Sequence, residues 1–70
     1  LDWATTQNNL GTALRVLGQL TADRQSLAAA VTAFQSALEV LRALNATTYA
    51  EMTQANLAAT QALLSEQEEL

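Results

Sequence analysis

The sequence predicts an all-α fold, a helical hairpin followed by one further helix, on three observations. Fifteen Ala and thirteen Leu among 70 residues, with no Pro and only Gly11 and Gly18, favour helix throughout. Apolar residues recur at three- and four-residue steps, most clearly at Leu27, Ala30, Val31, Phe34, Ala37, Leu38, Leu41 and Leu44. No segment alternates with period two, and the β-branched residues are scattered.

The first helix is expected from about Trp3 to Leu17. Asp2 is placed to cap its start, and Gly18 sits where a helix commonly ends in a left-handed residue. Trp3, Leu10, Leu14 and Leu17, helped by Ala13, form its apolar stripe. Helix 2 is expected from Thr21 or Asp23 to about Leu44, with Asn45 as its stop because Asn tolerates the left-handed conformation. Helix 3, about Tyr49 to Glu66, opens on a capping-box pattern, Thr48 with Glu51 three residues on. Glu66, Glu68 and Glu69 meet the negative end of its dipole, so its last turn is expected to fray. Leu10 and Leu14 are expected to pack on Val31, Phe34 and Leu38. All 70 residues form one module.

The core of such a chain is thin. Ala removes little surface from water, so burial rests on Leu, three Val, Trp3 and Phe34. The chain starts at Leu1 rather than Met, and it reads as an excerpt of a longer protein. Comparing the chain with itself at an offset of 47 aligns Gln7, Asn9, Leu10 and Gly11 with Gln54, Asn56, Leu57 and Ala58, and Leu17 with Leu64. Helix 3 is therefore a second copy of helix 1, and the chain holds about one and a half two-helix repeats.

With these residues in place the chain resembles the tetratricopeptide repeats. Leu10-Gly11, Leu14 and Ala30-x-x-x-Phe34, followed by Ala37, fall where that pattern wants them. The stretch from Trp3 to Gly11 looks like the opening of the longer-period bacterial and kinesin-light-chain-like members. Gln7 stands where the pattern has an aromatic, and no Pro follows helix 2. The resemblance implies an α-solenoid fragment, with Gly11 allowing close helix approach and Phe34 filling the gap between hairpins. It also implies a peptide-binding groove lined by the first helix of each hairpin, here Thr5, Asn8, Thr12 and Arg15. Asn8 would bond a ligand backbone and Arg15 a carboxylate; the alternative is a merely solvated polar face.

On helix 3 the equivalent stripe is Met52, Ala55, Ala59 and Ala62, apolar on the side a solenoid leaves open. The side expected to pack on helix 2 holds Gln54, Leu57, Ala58, Gln61 and Leu64. Either helix 3 rotates to bury the Met/Ala stripe, or that stripe meets another chain, most simply as a two-fold homodimer.

Composition argues against chemistry. With neither His nor Cys, most metal sites and activated nucleophiles are gone, and no catalysis, metal or organic cofactor is expected. The net charge of −4 is concentrated in the final acidic residues. Without Lys or a basic cluster, the footprint for nucleic acid or anionic membrane is missing. No span-length apolar run or signal-peptide pattern is present, and a cytoplasmic setting is the favoured expectation. The expected function is a non-catalytic scaffold segment binding a protein or peptide. Its rivals are a self-assembling element and a regulatory repeat segment of a larger multidomain enzyme.

Overall fold

The computed structural model describes residues 2–69, with side chains for residues 2–67. Three helices follow one another: α1 (Asp2–Thr21), α2 (Arg24–Ala43) and α3 (Thr47–Glu69). The all-α expectation holds, and no strand occurs among the described residues. The middle helix packs against both neighbours, whereas α1 and α3 meet only along a narrow strip.

The two turns share one construction. Ala22 (φ 53°) and Asn45 (φ 57°) each take the left-handed conformation just past a helix end. The next N–H then closes the helix: Asp23 N donates to Gly18 O at 3.0 Å, and Ala46 N to Leu41 O at 2.9 Å. The same two residues open the following helices. Asp23 accepts from Gln25 N (3.0 Å) and Ser26 Oγ (2.8 Å), while the Ala46 carbonyl accepts from Ala50 N (2.9 Å). Of the two starts expected for helix 2, Thr21 and Asp23, the structure uses Asp23, and Asn45 takes the left-handed conformation expected of a stop. The expected Thr48–Glu51 box is not formed, because the Asn45–Ala46 turn already fixes Ala46 as the first acceptor and places Thr48 inside α3. The helix continues to Glu69, although the side chains of Glu68 and Glu69 lie outside the described residues.

Gly18 does not end α1, which runs on to Thr21. Its φ is negative, and its role is spatial. A Cβ there would lie 2.7 Å from the Leu27 side chain and 3.2 Å from the Asp23 carbonyl. At Gly11 a Cβ would lie 2.7–2.9 Å from the Phe34 ring. Ala4 and Leu41 complete the series; both are buried and both line one groove. The numbers in each facing pair sum to 45, so small residues every seven positions on α1 receive large ones every seven positions on α2. Such pairing brings the two backbones close.

The buried face of α1 is therefore not its most apolar one. Trp3, Leu10 and Leu17, expected in the core, are about half exposed, at 51, 46 and 49%. Of the expected stripe, Leu14 alone packs on the core, against a cluster of Ala30, Phe34, Leu38 and Leu57 with Val31 and Ala50 at its edge. The expected face of α3 also needs correction. Thr53, Leu57 and Thr60 are buried, while Gln54, Ala58 and Gln61 are exposed. Thr60 Oγ1 meets its need within the helix by donating to Asn56 O at 2.8 Å, so a buried Thr packs much as a Val does.

Phe34→Ala should cost about 3–5 kcal/mol, enough to unfold much of a domain this size, as thermal melting will show. Gly11→Ala should cost about 1–2 kcal/mol, crowding against Phe34 outweighing roughly 1 kcal/mol of helix propensity. The reverse change at the equivalent exposed position, Ala58→Gly, should cost about 1 kcal/mol through propensity alone. A Gly11→Ala protein more stable than wild type would sink the register described above.

Candidate functional site

The two stripes singled out in the sequence converge at one end of the molecule. Parallel α1 and α3 both begin there, beside the end of α2, and the gap between them is an open groove of about 200 Å3. Its floor is Ala4, Leu41 and Thr53, all buried. Thr5, Asn8 and Asn9 form one wall, and Tyr49 and Met52 form the other. None of these lining residues is charged.

Asn8 ties the walls together. Its Oδ1 accepts from Thr53 Oγ1 at 3.3 Å and from Asn56 Nδ2 at 3.4 Å, both long bonds. Its backbone carbonyl accepts from Thr12 Oγ1 at 3.0 Å. Asn8 thus turns towards α3 rather than outward, and Asn8, Thr12 and Arg15 are half-buried, with Thr5 exposed. Thr12 and Arg15 lie beyond the groove lining.

On α3, Met52 (56% exposed) joins the groove, and Ala55, Ala59 and Ala62 continue along the same side of the helix, all exposed. Of the two arrangements open to helix 3, rotation to bury this stripe does not occur. The sequence reading missed Tyr49, which is 54% exposed on the groove rim. Its one signal is being the single Tyr, set off the apolar stripe just after a turn. A second open depression of about 410 Å3 lies at the α2–α3 turn, crossed by Arg42 Nη2 donating to Gln54 Oε1 at 3.0 Å.

No group of His, Cys, Asp or Glu among the described residues is arranged to hold a metal ion. Among the described residues, no helix is long and apolar enough to cross a membrane. No family model, curated protein or solved structure matches the chain.

Asn8→Ala should leave the buried Thr53 hydroxyl without its cross-helix acceptor and cost about 1–2 kcal/mol. In a domain of this size that lowers Tm by roughly 4–16 °C. An unchanged melting curve would mean that Asn8 holds nothing.

Proposed function

We propose that the chain is a non-catalytic protein-interaction module of tetratricopeptide-repeat type whose α1–α3 groove takes a segment of a partner protein. The observation that carries this reading is the groove itself. An exposed aromatic and an exposed Met face a wall of hydroxyl and amide groups across a small apolar floor. That combination suits a peptide that inserts one apolar side chain between Tyr49 and Met52 and offers its backbone to Thr5 and Asn9. The absence of charge in the lining favours a neutral segment, so the pairing expected of Arg15 with a carboxylate lies outside this reading. The internal repeat and the Ala30-x-x-x-Phe34 pattern support the family assignment.

Selection from a displayed peptide library against the purified chain tests this. Selected peptides should lose on the order of tenfold affinity with Met52→Ala or Tyr49→Ala, as anchor residues do, and none with the distant Gln25→Ala. Peptides indifferent to both groove variants would end the groove reading.

A second reading is favoured by the exposure of Met52, Ala55, Ala59 and Ala62: small residues along a helical stripe suit close approach of a second copy. Here the main partner is the chain itself, as a homodimer through α3. Sedimentation equilibrium from ~10 μM to ~1 mM spans weak to moderate dimers, and Ala59→Glu should weaken association. A monomer throughout that range would dispose of the dimer.

A further inference from the structure

We propose that Met52 is a peroxide-responsive switch for the α1–α3 groove. Oxidation of its thioether to the sulfoxide creates an acceptor that Thr5, Asn8 and Asn9 bind from the opposite wall, which closes the groove to an apolar side chain. The consequence for partner binding rests on the groove reading; the closure itself does not.

Met52 lies near the start of α3 on the groove wall, 56% exposed, with Tyr49 three residues before it on the same side. The bonds from Thr53 and Asn56 to Asn8 Oδ1 set the relative height of the two helices. Met52 is one turn before Asn56, and Thr5 is about one turn before Asn8, so Met52 stands level with Thr5 across the gap.

The chemistry of the facing wall is a second, separate observation. Thr5 carries a hydroxyl, and Asn8 and Asn9 each carry an NH2 group. Asn8 Oδ1 already accepts from Thr53 and Asn56, which leaves the amide nitrogen as its remaining polar end. Among the described residues, no hydrogen bond takes up the side chain of Thr5 or Asn9. A wall of donors thus faces a thioether, which accepts only weakly. A sulfoxide oxygen carries a large partial negative charge and accepts strongly. One added oxygen therefore turns two mismatched walls into matched ones. The groove measures only about 200 Å3, so side chains bonded across it leave no room for that of a partner.

In the oxidation step the sulfur lone pair attacks one oxygen of hydrogen peroxide, the O–O bond breaks, and that oxygen stays on sulfur. The other oxygen leaves with both hydrogens as water; sulfur is oxidised by two electrons and the peroxide is reduced by two. Methionine sulfoxide reductases reverse the change. Met52 is the only Met and the chain has no Cys, so mild peroxide has one fast target. Trp3 and Tyr49 react far more slowly.

The test compares the chain before and after mild peroxide treatment, a mass gain of one oxygen marking completion. With no ligand present, the side-chain NH2 resonances of Asn8 and Asn9 should move downfield and exchange more slowly with water. The Met52 methyl should gain a nuclear Overhauser contact with Thr5. Peptides selected on the reduced chain should lose on the order of tenfold affinity and regain it after reductase treatment. Met52→Leu, treated alike, should keep its own resonances and whatever affinity it had. Asn8 and Asn9 amides unmoved by oxidation overturn the proposal, whether or not any peptide has been found. So does loss of affinity in treated Met52→Leu, which would place the reactive group at Trp3 or Tyr49. Undiminished affinity of the oxidised chain for a peptide that needs Tyr49 overturns it too. A library that yields no peptide would end the groove reading alone, and the amide resonances would still decide the closure.

Discussion

The edge of the Phe34 ring rests where a side chain on Gly11 would be, and the rest of the molecule is arranged around that contact. It sets how closely α1 and α2 approach, and it fixes their register, with Gly18 under Leu27 on one side and Ala4 beside Leu41 on the other. Because the register is fixed, the start of α1 lies level with the end of α2. The short turn through Asn45 then brings the start of α3 to the same level. The groove exists because three helix ends share one height. Its floor, Ala4 and Leu41, is simply the last pair of the series that Phe34 and Gly11 begin.

Much of this was legible in the residues, for identifiable reasons. Periodicity gave α2 its face, because a helix packed on two sides leaves a broad apolar signal that nothing contradicts. Asp23 and Asn45 marked the turns because their side chains suit the capping and left-handed positions they occupy. The faces of α1 and α3 were misread for one shared reason. Periodicity shows that a stripe exists and not what it meets, so Trp3, Leu10 and Leu17 outweighed Ala4, Gly11 and Gly18, although the small residues are the ones buried. A small residue carries little signal alone; it acquires meaning only beside the large partner that fills its space. On α3 the buried Thr53 and Thr60 read as polar, yet their hydroxyls are bonded and their methyl groups pack.

The candidate site shows the same limit. Thr5, Asn8 and Met52 were each named from stripes on separate helices, and the groove that joins them depends on the relative height of α1 and α3. That height follows from the helix and turn lengths together, which no single motif states. Asn8 is the instructive case: an amide suited to recognising a ligand is instead spent largely on holding α3. The offset of 47 aligns Leu10, which is half exposed, with Leu57, which is buried, so side chains of one type meet different neighbours on α1 and α3.

The turns have a consequence for how such a chain tolerates change in length. Asp23 closes α1 and opens α2, and Ala46 closes α2 and opens α3, so neither connection holds a spare residue. An insertion or deletion of one residue there is not absorbed by a loop. It swings the following helix by roughly 100° about its own axis and presents a different side to its neighbour. Phase, rather than bulk or charge, is the quantity handed from each helix to the next. Length variation in relatives of this chain is accordingly expected in steps that restore that phase, or outside the stretch from Gly18 to Ala50 where the two turns are built.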